Sequence, residues 1–404
     1  MALQNNINET KRLGVHSHTW VLVLQQSVLL LSVFEVGLTI LQYCLSRTQS
    51  FFVDTITYSE GVKLYLGGLN PYDLSAPLRF PYSPIALQLL AIAGQHVKEF
   101  LAFAYVGSAV WFFSALFNRT NTAYAAWLAL AYLGVGFTEY AGGNMTLPLH
   151  MFLLGALVRG IHTQPRAVLF LLMVVFACVF KPYMIAYILL PLAVAYRQRK
   201  QAVEIRKWTV RVIIIFVSLL VAYYLANQEL LVGFSLSLQK QTLADGDLGQ
   251  GIFKFLFQFT HSGYVSLTMH LLLIFVIFGP ILWSLWSRSA IPIDVFAFYL
   301  YFFLTMISPR IKEYDLTAAL LALFISWSAL NKSALREIVL AFAYGISGLR
   351  LLILYRQHDD PLLLISGVSF YATVLVMLVG FYLALFLRVC GPWSRGVSGA
   401  PDTI

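Results

Sequence analysis

The sequence predicts an all-α fold: a polytopic membrane helix bundle of about twelve transmembrane helices. Three observations predict it. Runs of roughly 17–25 apolar residues recur along the whole chain, each long enough to cross about 30 Å of hydrocarbon as a helix. Of the 404 residues, 59% are hydrophobic and only 11% charged, with a mean hydropathy of +0.77; a soluble protein carries about 25% charged residues. The net charge of +9 sits mostly in short loops on one side once the spans are placed. That pattern reports orientation, so no nucleic-acid partner is expected. Lipid-exposed backbone must satisfy its own hydrogen bonds, which makes helices the default, and the alternating pattern of a membrane β-barrel is absent.

The elements follow in order. Residues Met1–Ser17 are polar, with Lys11 and Arg12 before the first span, which puts the N-terminus in the cytoplasm. Trp20–Leu45 is too long for a signal h-region and lacks a small-residue cleavage site, so it reads as a retained span. Glu35 lies within it, costly there unless paired or turned into the bundle. The most basic loop carries Arg197, Arg199, Lys200, Arg206, Lys207 and Arg211 against Glu204 alone and is therefore cytoplasmic. Counting backward, Tyr183–Tyr196 runs inward, Ala167–Phe180 outward, Met145–Arg159 inward, Thr122–Ala141 outward and Phe100–Phe117 inward. Lys98 is then outside. Ile85–Val97, apolar but short, must lie on the outer face or dip into it.

Counting forward, Val212–Ala226 runs outward to an external loop over 227–263, with Asp245-Gly246-Asp247 as a turn at its centre. Val265–Trp286 returns, Pro292–Ile307 runs outward to the polar turn Ser308–Asp315, and Leu316–Leu330 returns. Ile338–Leu354 and Leu362–Leu387 complete the set, leaving both termini inside and the whole chain one membrane domain. The cysteines Cys44, Cys178 and Cys390 lie in or beside apolar spans and form no metal or disulfide pattern. No phosphate-binding loop, dinucleotide glycine pattern or zinc-protease motif stands in a supporting context, and no metal or other cofactor is expected.

The first external loop, 46–98, holds the densest polar chemistry. Asp54, Tyr58 and Glu60 are followed by Gly67-Gly68-Leu69-Asn70-Pro71-Tyr72-Asp73 and then Phe80-Pro81-Tyr82-Ser83-Pro84. Loops on a rigid scaffold carry function. The other external polar groups are Gly142-Gly143-Asn144, Lys181-Pro182, the turn with Arg310 and Lys312, and Arg350 near the outer end of its span. Each has a plainer reading: Asn144 as a helix cap, Lys181 snorkelling to the interface, and Arg310 and Lys312 pairing with Glu313 and Asp315 in a solvated turn. Cations facing an acidic loop at the outer leaflet suit a lipid phosphate, Arg by its planar fork and Lys as a point charge.

The order of these motifs resembles the polyprenol-phosphate-mannose-dependent α-mannosyltransferases, of the GT-C class of integral membrane glycosyltransferases. The matching residues are Asp54 and Tyr58, Gly68-Leu69-Asn70-Pro71-Tyr72, Tyr82-Ser83-Pro84, Gly143-Asn144, Lys181-Pro182 and Ser308-Pro309. The likeness covers about the first 200 residues, weakens to about 330 and is scarcely present beyond. It implies in-plane helices in the first external loop and Asp54 as the catalytic aspartate. Tyr58, Asn70, Tyr72, Tyr82, Asn144, Lys181, Arg310, Lys312 and Arg350 are the expected substrate-binding set. It also implies an inverting transfer from a polyprenyl-phosphate sugar to a lipid or glycan acceptor, at the outer face of a bacterial plasma membrane and among membrane lipids. The charged run Arg310-Ile311-Lys312-Glu313-Tyr314-Asp315 departs from the pattern, and the region beyond 330 has no counterpart, so sugar and acceptor do not carry over.

The residues suit that chemistry. Displacement at an anomeric carbon needs one base for the acceptor hydroxyl. Phosphate leaves without a general acid, so the paired carboxylates of glycoside hydrolases are not required, and cations must stabilise the departing charge. A lipid-linked-sugar flippase is the rival class, but it calls for charges at the bilayer midplane and broken helices. A polysaccharide polymerase or ligase calls for an acid outside a short first loop. Glu60 lies six residues from Asp54 and so points to another helix face. The topology is tested with single cysteines at positions 98 and 118 and an impermeant thiol reagent. Labelling from outside at 98 and none at 118 is expected, and the reverse overturns the arrangement.

Overall fold

The computed structural model describes residues 54–72, 80–119, 143–198, 202–240, 249, 251–287, 291–328 and 379. The spans expected over 20–45, 122–141, 338–354 and, Val379 apart, 362–387 lie outside these residues, as do Glu35, Asp73, Asp245, Asp247 and Arg350. The chain divides into two compact units, and every contact below lies within the one formed by Ile40–Tyr132 and Gly136–Ser326. The described residues are helical, with no strand among them.

Helix α1, Asp54–Leu66, begins on an acidic residue, where the helix dipole favours negative charge. It ends because Gly68 takes φ +75. The Gly68 amide bonds to the Tyr65 carbonyl and the Leu69 amide to the Leu64 carbonyl, both at about 3 Å, a glycine-terminated helix end that satisfies two of the last carbonyls. Asn70 then closes a turn by accepting the Tyr72 amide at 2.9 Å. Helix α2, Pro84–Ile92, starts at Ser83, whose hydroxyl accepts the Ala86 amide at 3.3 Å, with proline at its first position. Its nine residues reach only about 14 Å, far less than a bilayer. A single 3-10 turn, Gly94–His96, leads into α3, Val97–Arg119.

Helix α4, Thr146–Arg159, packs along α3. The approach is close: a Cβ on Gly155 would sit 2.4 Å from the Trp111 ring. Arg159 seals this seam from the α4 C-terminus, where a cation complements the dipole. Its guanidinium lies 3.6 Å from the Trp111 ring centroid and donates to the Trp111 carbonyl and the Ser114 hydroxyl, both at 2.8 Å.

Helix α5, Gln164–Phe180, stops at Lys181 because Pro182 has no N–H to continue it. Lys181 is held extended, at φ −131 and ψ 92, as a residue before proline must be. The inward run expected as one helix over 183–196 is instead a 3-10 segment, Pro182–Ile188, followed by α6, Leu189–Gln198. Proline at 182 and again at 191 explains the interruption. Helix α7, Ala202–Ala226, starts inside the basic stretch expected as loop. The segment expected as an external loop, 227–263, holds two helices, α8, Gln228–Gln239, and α9, Ile252–Thr260. Helix α10, Gly263–Ser287, follows.

Three segments, Gly94–Asn118, Ala202–Ala226 and Gly263–Ser287, are long and apolar enough to cross a membrane. Helices α7 and α10 expose Ile214, Leu219, Leu272, Val276 and Trp283, an apolar surface suited to lipid. Helix α11, Ile293–Ile307, is buried from Val295 to Met306, and α12, Glu313–Ser328, from Tyr314 to Ser326; a helix apolar on all sides belongs inside a bundle. The α3–α4 seam yields a stability test. Gly155→Ala should cost about 1–3 kcal/mol by overpacking, read as a lower melting temperature in detergent. Gly107→Ala on α3, where an added Cβ meets nothing within 4 Å, should not lower it.

Candidate functional site

Asp54 opens α1 and is half-buried. Its Oδ2 accepts the Asn144 Nδ2 at 2.9 Å. Asn144 precedes α4, after Gly143 at φ +75, and its Oδ1 accepts the Thr146 amide at 3.0 Å. The helix cap itself is Met145; Asn144, one residue earlier, closes a turn onto Thr146 with the same amide that meets Asp54. The same Oδ1 accepts the Tyr82 hydroxyl at 3.2 Å, and the Asn144 carbonyl accepts the Tyr105 hydroxyl.

The tyrosines form the layer behind. Tyr58 Oη lies 2.7 Å from Tyr82 Oη; because Tyr82 donates to Asn144, Tyr58 donates to Tyr82. Tyr72 donates to the Tyr82 carbonyl at 2.9 Å. Tyr58, Tyr72 and Tyr82 are each only 1% exposed, and their hydroxyls bond to protein. Asn70 is exposed, its carbonyl closing its own turn and its amide lying against Gly233 of α8. Glu60 points elsewhere, exposed and paired with Lys63 at 3.3 Å.

The Ser83 hydroxyl that caps α2 also donates to the Val179 carbonyl in the last turn of α5. This brings the α5 end, and with it Lys181, beside Tyr82. The Lys181 ammonium lies 5.0 Å from the Tyr82 ring centroid and 5.5 Å from that of Tyr314. Arg310 and Lys312 stand on the turn between α11 and α12, both half-buried. Gly249, at φ +76, is pressed on that turn, where a Cβ would meet the Ile311 carbonyl oxygen at 2.4 Å.

The charges act on one another. Burial raises the Asp54 carboxyl above its ordinary range, opposed by the Asn144 hydrogen bond and by the charges of Lys181 and Lys312. Burial lowers Lys181 to about 8; Asp315 and Asp54 work to raise it, while Arg310 and Lys312 lower it further. The structure thus brings Asp54, Tyr58, Tyr82, Asn144 and Lys181 into one contact network, with Arg310 and Lys312 within its electrostatic reach. A carboxylate so placed can accept a proton, and the cations near it can hold an anion.

Sequence reasoning missed His150 and gave Asp315 the wrong surroundings. Asp315 is 1% exposed and His150 fully buried, with Nε2 3.0 Å from Asp315 Oδ1. Tyr183 donates to the same oxygen. A histidine inside an apolar span was the available signal.

Lys181 carries a stability consequence. Its folded value of about 8 lies below the ordinary 10.5, so between those values the unfolded chain binds more protons. The burden on the folded state is full below pH 8 and fades as pH rises through that window. Lys181→Met should raise the melting temperature at pH 7, and the gain should vanish toward pH 10. No gain at pH 7 would return Lys181 to a snorkelling side chain. Compared with known proteins, this chain matches no family model, no curated protein and no solved structure.

Proposed function

We propose that the protein is a membrane glycosyltransferase of the GT-C type, with about twelve spans, that moves a sugar from a polyprenyl-phosphate donor to a lipid or glycan acceptor at the outer membrane face. The observation that carries this reading is the juxtaposition of one carboxylate, oriented by Asn144, with cations from two other parts of the chain. Asp54 takes the proton of the acceptor hydroxyl as the oxygen attacks the anomeric carbon. The sugar–phosphate bond breaks with inversion, and its electron pair leaves on the polyprenyl phosphate. Lys181, Arg310 and Lys312 hold that phosphate, most strongly as its charge grows. Arg350 lies outside the described residues and remains a candidate donor ligand.

The purified protein is incubated with polyprenyl-phosphate mannose, glucose and arabinose, and released polyprenyl phosphate is measured. One donor should be consumed in the presence of acceptor; release from none of them overturns the reading. Asp54→Asn should lower turnover by about 10²–10⁴-fold with donor binding kept, the usual contribution of a general base, and Glu60→Gln should leave it near wild type. Asp54 must be unprotonated and Lys181 protonated. Activity should therefore rise with pH through a limb above the ordinary carboxylate range of 3.8 and fall through a limb near 8. Lys181→Arg should remove the alkaline limb, because guanidinium keeps its charge.

A further inference from the structure

Asp315 is the most thoroughly held carboxylate among the described residues, and the proposed chemistry does not use it. It receives three donors: His150 Nε2 at 3.0 Å, the Tyr183 hydroxyl and the Lys312 backbone amide at 2.9 Å. The last bond is that of a third helical residue reaching back to the residue that caps its helix, so Asp315 pins Lys312 to the start of α12. His150 is braced in turn. Its Nδ1 lies 2.6 Å from the Tyr301 hydroxyl, and the tautomer that satisfies both neighbours carries its proton on Nε2. Tyr301 stacks on Tyr187 at 4.4 Å, and Tyr187 bonds to Thr305 at 2.7 Å. Helices α4, α11 and α12 and the 3-10 segment after Lys181 all converge on this one carboxylate.

We infer that Asp315 is the positioning residue of the cation cluster, tying Lys312 and the Lys181 segment together and supplying their standing counter-charge. This rests on the reading of those cations as donor-phosphate ligands. Two ties join the segments: Tyr183, two residues after Lys181, bonds Asp315, and the Lys181 ammonium faces Tyr314, the residue before it. Around Lys181 stand Asp54 from α1, Tyr82 before α2, Arg310 and Lys312 from the turn, and Tyr314 and Asp315 from α12. Of the charged neighbours, Asp315 acts on Lys181 most strongly, and in the direction that keeps it protonated. Asp54 cannot serve instead, because it loses its charge when it takes the acceptor proton. Asp315, hydrogen-bonded on both oxygens, takes no part in that proton transfer.

The test follows the Lys181 amine directly. Full-length protein in detergent is labelled with acetic anhydride at stepped pH, and the Lys181 peptide is quantified by mass spectrometry. In Asp315→Asn the labelling midpoint should fall from near 8 to about pH 7. At pH 7.5 that cuts the charged fraction about threefold, and retention of farnesyl phosphate should drop with it. Asp315→Glu should restore both. A folded Asn variant with the wild-type midpoint overturns the inference. If that variant does not fold, Tyr183→Phe decides, since it removes one tie and no charge. Lys181 labelling should then rise several-fold, and an unchanged rate overturns the inference. Wild-type protein that retains no farnesyl phosphate overturns the donor reading alone, while labelling still decides the role of Asp315.

Discussion

The side-chain amide of Asn144 joins α1, the Tyr82 segment and the start of α4 at one point. One end holds Asp54 and the other accepts from Tyr82 and from the first turn of α4. An amide serves here because it offers donor and acceptor at once, where a carboxylate would repel Asp54 and an aliphatic side chain would strand three partners. Unmet hydrogen-bonding groups in such a place cost about 1–3 kcal/mol each. The orientation of Asp54, the seating of Tyr82 and the entry into α4 thus rest on one residue. Behind it, Tyr58 and Tyr72 relay the constraint to α1 and to the turn at Asn70.

The electrostatics of the site are a balance of unwelcome charges. Burial pushes Asp54 toward its neutral form and Lys181 toward its own, and each is kept charged by the other and by its neighbours. Asp54 and Lys181 are therefore interdependent, and both sit closer to neutrality in their titration than exposed residues would. Groups poised in this way are a mark of functional sites.

The helical, membrane-type character was legible in apolar run length and low charge, and the candidate residues in their placement at the ends of those runs. Asp54, Tyr58, Tyr82, Asn144 and Lys181 could be named because each is polar where its surroundings are apolar. What they do could not be read: Tyr58 and Tyr82 serve as a buried scaffold, and Asn70 closes its own turn. The segment over 183–196 was expected as one helix because hydropathy measures composition, whereas Pro182 and Pro191 decide geometry. Helices α8 and α9 were missed because, at twelve and nine residues, each is too short to read as a span. Asp315 was read as part of a solvated turn because neighbouring charges in sequence suggest local pairing; its partners, His150 and Tyr183, come from distant segments.

The Ser83 hydroxyl takes the Ala86 amide at the start of α2 and gives its proton to the Val179 carbonyl near the end of α5. It works as a pin through two plates. The short helix α2 and the break that presents Lys181 cannot slide past one another without withdrawing it. Mechanically, the seating of Lys181 beside Tyr82 depends on a coupling that lies outside both, and a shift of either plate is carried to the other.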